Sequence, residues 1–241
     1  MEHFFIYICI ILVASILQTS TGFGFSIMAT PFLLLLFQPS EAIQINIILS
    51  LIISLALIMK VKKNIDTYLL RKLILGSIMG LPLGGLVYIT VDIKTFKLLI
   101  SIILLLLTLI LIVNVRFKST TARDYIVGGI SGVLTISIGM PGPPLLIYFA
   151  GTNAGKEKTR ATTLAFFLFI YFISLLSQLV LTGTDMIIWR SSLYGIPAVF
   201  IGLIIGQILF KYLNQHVFKI FTYILLGGTG IYILIDSILS R

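Results

Sequence analysis

The sequence predicts an all-α protein, a polytopic transmembrane helical bundle made of two inverted repeats with about five helical elements each. Three observations predict it. The 241 residues are 59% apolar and 10% charged, against about one-quarter charged in a soluble domain, and their mean hydropathy is +1.15. Apolar runs recur at nearly the length of about 20 residues that a helix needs to cross a hydrocarbon core of about 30 Å. Two of these runs are interrupted, at matching places, by glycine, proline and small polar residues.

In the first half the apolar pieces cover about residues 4–18, 25–37, 42–59, 73–90 and 96–114. The stretch Phe4 to Leu17 has the length of a signal-peptide core. It lacks a basic segment before it and a small-x-small site after it, so it is expected to stay in the mature chain. Around Thr19-Ser20-Thr21-Gly22-Phe23-Gly24 the run breaks, and the piece that follows is too short to span a bilayer core. The second half repeats the plan at about 125–136, 143–150, 161–181, 191–210 and 218–238, with its break at Ser137 to Pro144.

Spacing supports a duplication. At an offset of 122, Asp92 to Lys97 falls on Asn214 to Lys219, and Gly80 and Gly84 fall on Gly202 and Gly206; at 117, Gly22 falls on Gly139. Five elements per half is an odd number, so the second half is expected to run inverted. Charge points the same way. With the N-terminus outside, thirteen Lys and Arg between Lys60 and Lys219 lie inside, and only Lys94, Lys97, Arg190 and Arg241 lie outside. The expected division is a first repeat at 1–115, a cytoplasmic linker at 116–124 and a second repeat at 125–241, with both termini extracytoplasmic.

Several function classes are excluded at this level. The net charge of +9 sits in loops between apolar runs and reports topology, so no nucleic-acid partner is expected. Cys9 is the only cysteine, which precludes an internal disulfide and leaves no metal-ligand cluster. His3 and His216 have no partner cluster, and HExxH and GxSxG motifs are absent. No enzyme activity, cofactor or metal is expected. Asp185 and Asp236 lie near the ends of apolar runs, so a buried carboxylate for proton coupling has no candidate.

The two breaks carry the functional argument, because non-helical backbone at membrane depth is tolerated only where protein or a water-filled cavity satisfies it. In inverted-repeat transporters such breaks aim helix N-termini, with free N–H groups and partial positive charge, at anionic substrate groups. Gly22 and Gly24 permit a tight turn, Pro143 or Pro144 suits the first turn of a helix, and Thr21, Ser26 and Ser137 add hydroxyls. The other reading is that these residues kink helices that span unbroken. No Lys or Arg is expected beside the turns. Asn46 and Gln44, and Thr162 and Thr163 in the matching helix, either coordinate substrate or bond neighbouring helices. Glu41 and Arg160 stand at the mouths of those helices as a gate, an ion pair or snorkelling loop charges. The candidate substrate-binding set is Thr21, Gly22, Phe23, Gly24, Ser26, Asn46, Ser137, Gly139, Pro141, Gly142, Pro143, Arg160 and Thr163. The runs Gly76-x-x-x-Gly80-x-x-x-Gly84 and Gly202-x-x-x-Gly206 are assigned to close helix packing. Trp189 is assigned to interfacial anchoring.

On Thr21 to Pro31, and on Gly139 to Pro144 followed by Lys158-Thr159-Arg160-Ala161-Thr162-Thr163, the chain resembles the sulfite exporter TauE/SafE family over nearly its whole length. The resemblance implies a bacterial or archaeal cytoplasmic-membrane permease for small sulfur-containing anions such as sulfite or sulfonates. Many members are richer in glycine at the first motif, where this chain has Phe23 and Phe25, a departure that narrows the site or alters its ligand. The expected function is a secondary transporter of a small anion working by alternating access in a lipid bilayer. Rivals are a transporter or channel for another anion, a membrane-embedded enzyme and a scaffold subunit. A coupling ion, proton or sodium, and a homodimeric state are left open.

Overall fold

A computed structural model describes residues 2–90, 93–113, 120–152, 154–212, 227, 228, 230–232, 234 and 235. Nine α-helices and no strand occur among the described residues. They are α1 (Glu2–Thr21), α2 (Phe25–Leu36), α3 (Pro39–Val61), α4 (Thr67–Thr90), α5 (Ile93–Ile112), α6 (Thr121–Ile138), α7 (Gly142–Gly151), α8 (Lys156–Leu181) and α9 (Met186–Tyr212). A single 3₁₀ turn, Lys62–Asn64, extends α3. Most of the expected last element, 218–238, and the motif Asn214 to Lys219 lie outside the described residues.

Five of these helices are long and apolar enough to cross a membrane: His3–Thr21, α3 with its 3₁₀ extension, α4, α8 and α9. Their outer faces are apolar and uncovered, as at Met79 and Val180, which are 77% and 85% exposed. In water such a surface would be an aggregation hazard; in lipid it is the expected coat.

The breaks are narrower than the sequence suggests. Helix α1 runs on through Thr21, and α6 runs through Ser137 to Ile138, so only residues 22–24 and 139–141 are non-helical. Hydroxyls folding onto their own helix explain the extension: Thr21 Oγ1 donates to the Leu17 carbonyl at 2.7 Å and Ser137 Oγ to Val133 at 2.7 Å. This satisfies small polar residues without water. The chain then turns on glycines with positive φ, Gly22 (86°), Gly24 (105°) and Gly139 (71°), a region that residues with a Cβ rarely adopt.

Each break reverses the chain. Helices α1 and α2 pack together, as do α6 and α7. The rings of Tyr7 and Phe37 meet at 5.7 Å at the open end of the first hairpin. At the open end of the second, Tyr148 OH donates to Asp124 Oδ1 at 2.6 Å. Between the hairpins α3 packs along α8, and residues such as Ile43, Leu49, Phe166 and Phe167 are fully buried there.

The glycine runs bring backbones into contact. A Cβ on Gly80 would lie 2.0 Å from the Gly129 carbonyl oxygen, and one on Gly202 would lie 2.4 Å from Ser15 Cβ. These runs seat α4 on α6 and α9 on α1, the packing role expected of small residues in membrane helices.

Candidate functional site

The two turns lie apart, each packed against the opening of the third helix of the opposite half. A Cβ on Gly22 would lie 2.9 Å from Arg160 Cα, near the start of α8; one on Gly139 would lie 2.9 Å from Asn46 Nδ2 and 3.2 Å from Ile43 Cγ2, near the start of α3. Asn46 Nδ2 donates to the Gly139 carbonyl at 2.7 Å, so this side chain secures a turn. Between the turns α2 and α7 pass side by side: the Phe23 ring meets Phe149 at 6.2 Å, and a Cβ on Gly142 would lie 3.6 Å from Ile27 Cδ1.

The expectation that no cation sits beside the turns is overturned at the first. Arg160 is 7% exposed, and its Nε and Nη2 have no hydrogen-bond partner. Its guanidinium lies 4.3 Å from the Phe210 ring centroid, and no carboxylate pairs with it among the described residues. The gate with Glu41 does not form either: Glu41 Oε2 accepts from the Gln38 N–H at 3.0 Å, capping the start of α3. Proximity in sequence to Lys156 and Lys158 makes Arg160 read as a loop charge. Helix α8 begins at Lys156, and that start carries Arg160 one turn inward to the Gly22 turn.

The N-terminus of α2 suits an anion better than that of α7. The first three N–H groups of α2 belong to Phe25, Ser26 and Ile27, all at most 2% exposed, and a helix leaves such groups without partners in its own ladder. Gly24 precedes them without a side-chain cap. In α7 the second and third positions are Pro143 and Pro144, which carry no N–H. Pro141 and Pro143 therefore shape the second turn and leave only the Gly142 N–H to offer.

From Arg160 a polar stripe runs along the α3–α8 interface. Thr163 Oγ1, Asn46 Oδ1, Ser26 Oγ, Ser50 Oγ, Tyr171 OH and Ser174 Oγ are all buried without a hydrogen-bond partner. The Tyr171 hydroxyl faces Ser26 and Ser50 without closing a bond to either. Unpaired buried polar groups are rare in folded proteins, and here Ser26, Ser50 and Tyr171 come together. Of the expected residues, Ser26, Asn46, Arg160 and Thr163 belong to this stripe. Thr21, Gly22, Phe23 and Gly24 form the turn at its end, and Ser137 and Gly139 belong to the other turn.

Ser50, Tyr171 and Ser174 are not readable as site residues from composition. For the two on α8 the one signal is spacing, since residues 160, 163, 171, 174 and 178 fall on one face of a helix, and Ser50 lies one turn from Asn46 on α3. Gln44 and Gln178 bond backbone across helices, to the Gly183 and Ile136 carbonyls at 2.9 and 3.0 Å. Thr162 takes the Asp66 N–H at 3.0 Å. These three hold the frame.

A buried carboxylate is also present, contrary to the reading of Asp185 and Asp236. Asp124 is 5% exposed and pairs with Lys72 at 2.9 Å. A cavity of about 180 Å³ between His3, Tyr7, Phe37 and Tyr194 lies at the open end of the first hairpin. Fourteen residues of helix separate Tyr7 from Thr21, about 20 Å at the helical rise, so this cavity is not part of the polar stripe.

The family model of the sulfite exporter TauE/SafE matches residues 7–233. No curated protein and no solved structure matches the chain. The match takes in both turns, the polar stripe and the glycine-packed helices. The chain is a multi-pass membrane protein that belongs to the sulfite exporter TauE/SafE family, a family of membrane transporters and not of enzymes.

Proposed function

We infer that this chain is a secondary transporter that moves a small sulfur-containing anion by alternating access, with Arg160 as the charge partner of the substrate. The single observation that carries the reading is the buried guanidinium without an acid among the described residues. An unpaired charge taken out of water costs several kcal/mol, and within a membrane protein such residues mark substrate or ion pathways. A bound anion removes the cost. The amide groups at the start of α2 and the hydroxyl of Thr163, one turn along α8 from Arg160, would complete its shell, as N-terminal dipole ends do for anions elsewhere, and the Ser26 and Tyr171 hydroxyls would meet it further along the stripe.

Helix contacts support a duplicated plan for residues 1–115 and 125–241, joined through 116–124. Exchanging α1–α4 for α6–α9 turns several contacts into others that are present: α1 on α9 becomes α6 on α4, and α3 on α9 becomes α8 on α4, while α3 on α8 maps onto itself. In the inverted arrangement thirteen of the basic residues from Lys60 to Lys219 face the cytoplasm, Lys94, Lys97 and Arg190 do not, and both termini face outward across the cytoplasmic membrane. Rocking of one half against the other would open the stripe to each side in turn.

The test is flux into proteoliposomes. Labelled sulfite or a sulfonate should enter with saturation and show counterflow, which a channel would not. Arg160→Gln should weaken apparent affinity about 10- to 100-fold, the loss of one or two charge-assisted hydrogen bonds, and Arg160→Lys should recover part of it. Folded protein that carries no small anion would end this reading.

A further inference from the structure

The polar stripe has two chemically different parts. At the Gly22 turn the groups without partners are donors, Arg160 Nε and Nη2 and the amides at the start of α2. Further along they are oxygens. Gln18 Oε1, Ser26 Oγ, Ser50 Oγ and Tyr171 OH are buried with no hydrogen-bond partner, on residues at most 1% exposed. They come from four helices, α1, α2, α3 and α8.

Ser50 ties the four together. Its backbone carbonyl accepts from Gln18 Nε2 at 3.1 Å, and the same nitrogen donates to Ser54 Oγ at 3.2 Å. Its hydroxyl faces Tyr171 OH, which also faces Ser26. A carbonyl only accepts, so the amide nitrogen of Gln18 is fixed toward Ser50 and the amide oxygen is turned to the free side. Asn46, one turn before Ser50, is held in the same manner: Nδ2 donates to the Gly139 carbonyl at 2.7 Å and Oδ1 is left without a partner. Amide oxygens cannot donate a hydrogen bond, so they do not serve an anion. Buried and unmatched, each costs free energy until a donor or a cation meets it.

We propose that Gln18 Oε1, Ser26 Oγ, Ser50 Oγ and Tyr171 OH form a sodium site, and that sodium is the coupling ion of the proposed transporter. Hard cations take oxygen ligands, and with no carboxylate in this set the site suits one positive charge and not two. The hydroxyls can rotate to turn lone pairs toward the ion. Three of them already face one another closely, which favours a small ion over potassium. Gln18 lies in the last turn of α1, where the negative end of the helix dipole adds to the attraction. The C-terminal ends of broken helices hold sodium in this way, as their N-terminal partners hold anions. Charge balance points to the same ion: Arg160 supplies one positive charge, and a sulfur oxyanion carrying two negative charges needs a second. Ser26 and Tyr171 lie on the path of the anion, so the two ions meet there. The site rests on the transporter reading for its purpose, but sodium binding can be measured without transport.

The experiment measures radiolabelled sodium, added as the chloride, on the purified full chain in detergent. Binding should saturate, and unlabelled sodium should displace the label where an equal concentration of potassium does not. Tyr171→Phe and Ser50→Ala should each weaken binding about tenfold, the loss of one contact to a charged ion. Neither hydroxyl bonds to protein, so both variants should melt no lower than the parent in potassium chloride. They should lose the rise in melting temperature that sodium chloride gives the parent. Folded parent without saturable sodium binding, potassium displacing the label as well as sodium does, or parental affinity in both variants overturns the proposal. Counterflow of labelled thiosulfate in vesicles separates the two claims. Anion exchange without sodium binding removes the site and keeps the transporter; sodium binding without anion exchange keeps the site and removes the transporter.

Discussion

Asn46 on α3 donates its side-chain amide to the carbonyl of Gly139, 93 residues away, at 2.7 Å, and so holds the turn of one half against the third helix of the other. Both groups are fully out of water: Asn46 is 0% exposed and Met140, next to Gly139, is also 0% exposed. Asn46→Ala should leave the Gly139 carbonyl without that donor and lower stability by about 1–3 kcal/mol. Thermal unfolding in detergent checks this, and an unchanged midpoint would mean that the bond holds nothing.

Close backbone packing predicts sharply different costs for two glycines. Gly80→Ala would drive a methyl into the Gly129 carbonyl at 2.0 Å, where only a shift of α4 from α6 relieves the overlap, so a loss of about 3 kcal/mol or more is expected. Gly183→Ala meets nothing within 4 Å, and its cost is confined to the positive φ of 76°, about 1–2 kcal/mol. Melting temperatures that rank the two the other way would refute the packing assignment.

The two turns also differ in what they tolerate. Gly24 has φ of 105° and its Cβ would come within 3.2 Å of Leu17, so Gly24→Ala should distort the start of α2 and reduce anion flux at least about tenfold. Gly142 lies in helical backbone, and its Cβ would make ordinary contacts at 3.6 Å. Gly142→Ala should transport normally. Gly142→Val, larger and facing Ile27 and Phe167, should not.

Acid stability should depend on Asp66. Partial burial works to raise its carboxyl, but the Lys158 hydrogen bond and charge and the Leu69 N–H outweigh it and hold the group below the ordinary carboxylate range. The folded state therefore binds this proton less tightly than the unfolded chain does. The stabilisation is present above the ordinary carboxylate pKa of about 4 and is lost as pH falls through the lower folded value. With the pair partly open to solvent, no more than about 1 kcal/mol is at stake. Asp66→Asn keeps an acceptor for Leu69 and removes the charge, so its melting temperature should fall less than that of the parent between pH 5 and pH 3. Parallel pH profiles would contradict this.

The breaks at Gly22 to Gly24 and Gly139 to Pro141, the membrane class, and the packing role of Gly80 and Gly202 were all readable along the chain, because each is local: an apolar run, a positive-φ residue, a spacing of four. The charged residues behaved otherwise. Arg160 is readable as a candidate at the mouth of its helix but not as a buried unpaired charge, and Asp124 sits among loop charges in sequence with nothing next to it that distinguishes it from solvated neighbours.

What the sequence by itself determined is the lipid-facing helical framework and its two interruptions, since hydrophobic length and backbone preference need no distant partner. Only the tertiary structure decided which polar groups are stranded and which are paired. Among the described residues Arg160 has no acid partner, and its helix, starting one turn earlier, carries it against Gly22. Asp124 has Lys72 and Tyr148 because three helices separated by up to 76 positions converge on it. Pairing of buried charge is a property of neighbours in space, and a one-dimensional pattern does not contain it.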